Sequence, residues 1–358
     1  MTLREQEILD YIKSNPMITQ QELADILGIE RSSVAVHISN LSKKGIIKGK
    51  GYIIEPEHYV LVIGGSNMDI LGVPHKALLL KDSNPGRIST SPGGVGRNIA
   101  ENLALLGLDI KLLSAVGKDL YGSQIIEKTT RSGVDTHYMK QLLAKPTSTY
   151  LSILDETGDM IVALNDMSIT KEIDISYIKK NEDLIKNSSF VILDTNLEQE
   201  VLEYLVQTFI NTKFIVDTVS AAKASKITQL LNKIFCIKPN LAEAEVLLDK
   251  SMQNDEDILL GLLEFEKLGV VSPMITLGKK GVAYLSNHKL QIIPPYPTTI
   301  KNANGAGDAF TAGITYGFYC NHSLKESINI GSIAARIALE SEKTVNPNMN
   351  IHTILNQL

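Results

Sequence analysis

Lys301-Asn302-Ala303-Asn304-Gly305-Ala306-Gly307-Asp308-Ala309-Phe310 sets two glycines, one small residue apart, directly before a helical pattern. Phe310, Ile314 and Phe318 carry that pattern, which has ended by Ser323. Glycines there let backbone N–H groups turn inward with no Cβ in the way. A helix start also offers unpaired N–H groups and the positive end of the dipole, and both attract an anion. Asp308 falls in the same first turn. A carboxylate beside a phosphate cradle is placed to take a proton from a hydroxyl as a phosphoryl group arrives. Gly-x-Gly-Asp is also ordinary turn chemistry ahead of a helix acid, so other segments must decide. Two phosphate motifs are excluded: Phe310 replaces the third glycine of G-x-G-x-x-G, and no G-x-x-x-x-G-K-[ST] occurs.

A second glycine-opened helix lies upstream. Pro92-Gly93-Gly94-Val95-Gly96-Arg97-Asn98 precedes a pattern with Ile99, Leu103 and Leu106 inward and Gly107 closing it, and Asn98 projects from its first turn. Between and around the two helices, Tyr59–Gly65 reads as a strand buried on both faces. Similar runs at 111–116, 190–194, 214–219, 234–237 and 274–277 alternate with helical stretches. This predicts an α/β fold, a mostly parallel sheet sandwiched by helices, with ligands at the carboxyl ends of the strands. Residues 70–90, with Pro74, Pro85 and Gly86, and a hairpin over 147–166 break the rhythm. They predict a small β flap, or lid, that keeps water from the site.

Residues 1–56 form a separate pattern. Ile8, Leu9 and Ile12 mark one helix; Thr19 and Glu22 make a capping box for a second. Val34, Ile38 and Leu41 mark a third, and Ile46–Ile54 reads as two short strands around a glycine turn. Three helices and a hairpin in this order resemble a winged helix-turn-helix domain. Five basic residues and no acid lie between Arg31 and Lys50, against six acids in the first thirty residues. Arg31, Ser33, His37, Asn40 and Lys44 suit a recognition helix, with Lys48 and Lys50 of the wing reaching phosphates. The expected partner is double-stranded DNA; a solvated face on a small dimerisation module is the alternative.

Composition sets the frame. At 358 residues, 44 % hydrophobic and 21 % charged, the chain reads as a soluble protein with one full-sized core and a small extra domain. A net charge of −5 argues against a protein that coats nucleic acid. Cys236 and Cys320 lie in apolar runs and read as reduced core residues, as in a cytoplasmic protein. No signal-peptide pattern or membrane-length run appears, and the scattered histidines give no zinc spacing.

Together the segments at 92–107 and 301–310 resemble the two signatures of the ribokinase-like (PfkB) family of carbohydrate and nucleoside kinases. The resemblance covers residues 59 to about 345, with the kinase domain taken as 59–358. It implies ATP and Mg²⁺ as cofactors and a nucleoside or sugar as substrate. Asp308 would be the catalytic base, with Gly305, Ala306 and Gly307 as the anion cradle. Asn67 and Asp69 after the first strand, with Gly93, Gly94 and Asn98, would hold the sugar. Asn240 and Glu243 of Asn240-Leu241-Ala242-Glu243 would organise Mg²⁺ through water, and Thr276 and Gly278 would line the nucleotide. Within the family the sequence resembles the branch acting on pseudouridine, through Asp82-Ser83-Asn84-Pro85-Gly86, the 92–107 run, Ser114–Gly117, Tyr121-Gly122 and Asn165-Asp166-Met167. Asn165 and Asp166 would then read the imide edge of a uracil ring.

Departures from the family pattern bear on function. Asn302 and Asn304 replace the usual Asp and Thr; loss of charge at Asn302 puts a monovalent-cation site in doubt. Thr218 stands where a proline is common. Three functions follow as alternatives: a pseudouridine kinase, a kinase of another nucleoside or ribose, and a ligand-sensing transcription regulator on a kinase fold. A homodimer is compatible with each.

Overall fold

Val60–Ile63, Phe190–Asp194 and Phe214–Asp217 are buried along their whole length. The computed structural model, which describes residues 1–48 and 58–358, places them at the centre of a nine-stranded sheet. From one edge the order is Lys289–Ile293, Val282–Ser286, Ser272–Thr276, Cys236–Ile237, Phe214–Asp217, Phe190–Asp194, Val60–Ile63, Ile110–Leu113 and Val134–Asp135. Val282–Ser286 pairs antiparallel with both of its neighbours, and the other pairings in the sheet are parallel. Alternate residues of one strand enter different cores, which explains the absence of a polar face. Leu61 and Ile63 pack with Val201, Leu205, Leu262 and Phe265. Val60 and Val62 pack with Ile99, Leu103, Ile314 and Ile330 on the other side.

The expected strand over 111–116 divides. Ile110–Leu113 stays in the main sheet, while Ala115–Gly117 pairs with Lys140–Leu142 in a separate two-stranded sheet. Ser114 sits at the break, its buried hydroxyl bonded to the Gly64 carbonyl at 2.7 Å and the Ser66 hydroxyl at 2.8 Å. The antiparallel edge hairpin was not anticipated. Asn287 and His288 turn it with φ of 51° and 57°, a two-residue connection of left-handed residues that suits a hairpin. Cys236 is buried as expected. Cys320 is exposed, because it caps the end of a helix rather than facing its apolar side.

The flap is a four-stranded sheet in the order Gly86–Gly93, Asn67–Pro74, Thr149–Leu154, Met160–Asp166. Its first two strands pair antiparallel over eight residues each, so the segment with Pro74, Pro85 and Gly86 is a hairpin whose prolines lie at its turn.

The helix that begins after Gly305, Ala306–Tyr319, lies against Leu324–Leu339. A Cβ on Gly313 would come 2.6 Å from the Gly331 Cα, and one on Gly317 would come 2.7 Å from the Ser327 Cα. The helices therefore touch backbone to backbone.

The chain divides into two compact units, Met1–Glu57 and His58–Leu358. The first contains helices Leu3–Ser14, Gln20–Leu27 and Arg31–Lys43 around Ile8, Ile12, Leu23, Val34 and Leu41. Capping boxes close two of the helix starts, at Thr2/Glu5 and Thr19/Glu22. Arg31, Ser33 and Lys48 are exposed, and His37 and Asn40 are half-buried. The Lys44 ammonium is engaged within the unit, 2.7 Å from the buried Glu5 carboxylate. Lys50 and the outer wing strand lie outside the described residues. Among the described residues, no helix is long and apolar enough to cross a membrane.

Gly313→Ala forces the helices Ala306–Tyr319 and Leu324–Leu339 apart. A urea melt is expected to show a loss of about 1–3 kcal/mol; an unchanged midpoint and slope would contradict the backbone contact.

Candidate active site

The parallel strands end on polar residues on one side of the sheet. Gly64–Asn67 follow Val60–Ile63; Asp194 and Asp217 end their own strands; Lys238 follows Cys236–Ile237, and Thr276 ends Ser272–Thr276. Side chains from distant parts of the chain meet there because parallel strands all present their carboxyl ends to the same edge.

Both glycine-opened helices point into this region, and neither start is capped by a side chain. Gly94 has φ 100°, and a Cβ on it would meet the Gly65 carbonyl at 2.5 Å. Gly305 has φ 82°, and a Cβ there would meet the Thr344 carbonyl at 2.1 Å. Glycine is required at both positions by conformation and by space. The first-turn N–H groups after Gly305 have no acceptor within the helix. Asn302 accepts the Asn304 N–H at 2.9 Å and donates to the Glu342 carbonyl, so its amide shapes the approach to this turn.

The two helices meet through their side chains. Asn98 Nδ2 donates to Asp308 Oδ2 at 2.7 Å in a buried contact. Burial and the neighbouring Asp217 charge push the Asp308 carboxyl up to about 7, against the Asn98 donor and the Lys238 ammonium, which pull it down. Lys238 lies 3.2 Å from Asp217, and a Cβ on Gly307 would touch its Nζ at 3.4 Å, so the ammonium sits beside the glycine turn. Burial works against that ammonium, but Asp217 and Asp308 hold its proton above the ordinary lysine range. Burial also works against the Asp217 carboxylate. Lys238, the Val219 N–H at 3.0 Å and the Thr311 hydroxyl at 2.9 Å outweigh it and hold the group below its usual value.

On the flap side, Asn67 donates to Asp69 at 2.6 Å, and a Cβ on Gly93 would strike that carboxylate at 2.2 Å. Burial raises the Asp69 pKa, opposed by Asn67 and Arg97. Asp69 is in register with Tyr150, and Tyr150 with Asn165, so the three share one face of the flap. Asp166 follows Asn165 and therefore points to the other face, where its carboxylate accepts the Ser168 N–H at 3.0 Å. The two neighbours are not presented together to one ligand edge.

Asn240 caps the helix Leu241–Leu248 in a capping box with Glu243. The Glu243 carboxylate accepts the Asn240 N–H and side-chain amide, each at 2.9 Å, and the Thr218 hydroxyl at 2.5 Å. Three of its four lone pairs are thus taken, which leaves one on Oε1 for a Mg²⁺ ion or for water around it. Among the described residues, no group of three acidic, histidine or cysteine side chains could hold a metal. Thr276 donates its backbone N–H to the Pro239 carbonyl at 2.9 Å, which ties the next strand end to Asn240; Gly278 begins an exposed turn with φ 56°.

Sequence reasoning missed Lys238, Asp217, Arg97 and Asp194. Asp194 is fully buried and accepts the N–H groups of Gly65 and Gly96 at 2.8 Å and of Asn196 at 2.9 Å. Burial raises its pKa, while those donors favour the charged form. A charged residue closing an otherwise apolar strand was the available signal at Asp194 and Asp217.

A carboxylate, an ammonium and two open helix starts around one point are the equipment of a phosphotransferase. The chain belongs to the pfkB family of carbohydrate kinases, whose family model matches residues 57–351. Residues 1–48 match the winged helix-turn-helix DNA-binding family. Over 358 residues the chain is 37 % identical to the uncharacterized sugar kinase YeiI of Escherichia coli K12, covering 99 % of this chain and 98 % of that one. The pseudouridine kinase of the same organism is 38 % identical over 301 residues, 83 % of this chain and 95 % of the relative. The crystal structure of a putative sugar kinase from Clostridium perfringens superposes with a TM-score of 0.76 at 32 % identity, covering 85 % of this chain and 96 % of that one.

Asp194→Asn presents an amide where three N–H donors converge. The expected cost is about 2–4 kcal/mol in a urea melt; a variant as stable as the parent would remove Asp194 as the tie between the glycine turns.

Proposed function

We propose that this kinase transfers the γ-phosphoryl group of ATP to the 5′-hydroxyl of pseudouridine. The observation that carries the phosphotransfer is the 2.7 Å contact between Asn98 and Asp308, which joins the first turns of the two glycine-opened helices at one point. The similarity to a pseudouridine kinase over nearly all of that relative's length supports the acceptor.

Asp308 accepts the hydroxyl proton as the 5′-oxygen attacks phosphorus and the bond to ADP breaks. Such a base contributes about 10²–10⁴-fold. N–H groups of Gly305, Ala306 and Gly307 face the charge that develops on the transferring group, and the Lys238 ammonium reinforces them. Asn67, Asp69, the Gly93-Gly94 backbone and Asn98 hold the sugar. Asn165 reads the base, and Asn240, Thr276 and Gly278 line the nucleotide. Mg²⁺, when bound near Asn240 and Glu243 through water, neutralises phosphate charge. The flap closes over the acceptor and keeps water from competing with it.

The basic, acid-free stretch from Arg31 to Lys48 and the family match of residues 1–48 favour a second activity, binding of double-stranded DNA. The exposed Arg31, Ser33 and Lys48 are the contacts, with Asn40 and His37 at the edge of the face.

A steady-state screen of pseudouridine, uridine, inosine, adenosine and ribose is expected to rank pseudouridine first; a higher kcat/KM for another acceptor reassigns the substrate. Asp308→Asn is expected to abolish turnover while nucleoside binding persists, and activity within about tenfold of the parent removes the base. Since Asp308 works only when ionised and its pKa lies at about 7, kcat/KM rises with pH through that value. DNA affinity is expected to fall as salt rises and to weaken in Arg31→Ala. The absence of any footprint upstream of the protein's own coding region would count against the regulatory activity.

A further inference from the structure

Arg97 lies between the two glycines of its turn and the first inward apolar residue of the helix, yet it is 2 % exposed. A buried guanidinium is costly unless its donors are taken up. Here its Nε donates to the Gly93 carbonyl at 3.0 Å, one terminal nitrogen pairs with Glu101, and the other donates to Asn98 Oδ1. Its backbone N–H is bonded to the Gly65 carbonyl at 3.2 Å. The last side-chain contact has a consequence for Asn98. A side-chain amide has one accepting and one donating end. With the oxygen held by an arginine, which can only donate, the donating end is left for Asp308, and it is that end which lies 2.7 Å from Oδ2. Turned the other way, the amide would set oxygen against oxygen.

We propose that Arg97 is a positioning residue that locks the orientation of the Asn98 amide so that it donates to Asp308 and favours the ionised base. This rests on the reading of Asp308 as the base. The charged groups facing Asp308 from the elements around it are Asp217, Lys238 and Asp194, which come from three different strand ends. None of them contacts the Asn98 oxygen in a hydrogen bond, so they act on the carboxyl without setting the amide. Arg97 reaches Asp308 through the Asn98 amide, and its own charge also lowers the Asp69 pKa.

The test titrates full-length protein carrying carbon-13-labelled aspartate, with the Asp308 carboxyl signal assigned by its loss in Asp308→Asn. Arg97→Met is expected to raise the Asp308 midpoint by about one pH unit, because the amide is free to turn and the donor is lost. Asn98→Ala is expected to raise it similarly, and the double variant to add nothing further. In turnover, the acid limb of kcat/KM moves with the midpoint, activity recovers at high pH, and the KM for ATP is unchanged. An unmoved midpoint in Arg97→Met, or shifts that add in full with Asn98→Ala, overturns the proposal. A fall in kcat that is equal at every pH does so too, since it marks a merely structural role. Should Arg97→Met not fold, Arg97→Lys, which keeps charge but has no fork to hold both the Gly93 and Asn98 oxygens, is carried through the same comparison. The titration needs no turnover, so an active Asp308→Asn enzyme would refute the base while the orientation of Asn98 is still decided separately.

Discussion

The site depends on a carboxylate that no substrate needs to touch. Asp194 ends a central strand and receives N–H groups from Gly65, after one strand, and Gly96, in the first turn of the Asn98 helix. A Cβ on Gly64 would lie 2.4 Å from its Oδ2, and one on Gly96 would lie 2.8 Å from the Gly64 Cα. The three backbones can approach only because two of them lack side chains. The approach fixes the distance between the flap's first strand, which starts at Asn67, and the helix that presents Asn98. An unpaired charge buried so deeply would be prohibitive; three well-directed N–H donors make it tolerable.

Charge around Asp308 is arranged by the same logic of strand ends. Asp194 and Asp217 lie on adjacent strands and Lys238 on the next, so one ammonium serves several acids. Asp217 has the lysine, a hydroxyl and a backbone donor, and stays charged. Asp308 has one direct donor, Asn98, and feels like charge from its neighbours. The difference in neighbouring charge and in donors, rather than in burial, sets one carboxyl near neutrality and the other well below it.

Much of this was legible in the chain. The two glycine-opened helices are visible because two such starts, each weak alone, occur in one chain, and the central strands are visible because burial on both faces removes polar alternation. What was hidden involves partners far apart in sequence. Nothing near Asp194 reveals that Gly65 and Gly96 donate to it, and nothing in Lys238-Pro239-Asn240 says that the lysine turns toward Gly307. The split at Ser114 is set by a hydroxyl reaching Gly64, a contact with no periodic signature. Asn165 and Asp166 look like a matched pair in one dimension and separate only once the strand's pleat assigns them to opposite faces. Cys320 looked like a core residue because apolar neighbours surround it in sequence, whereas the end of its helix brings it to solvent.

Where Gly313 meets Gly331, the helices Ala306–Tyr319 and Leu324–Leu339 have no side-chain layer between their backbones to compress. The flap is built differently, for its outer strand Met160–Asp166 is covered on few sides. On the function proposed above, selectivity among acceptors would drift by remodelling that thin edge, while the acidity of Asp308 would be inherited from a part of the molecule too stiff to be retuned by the same changes.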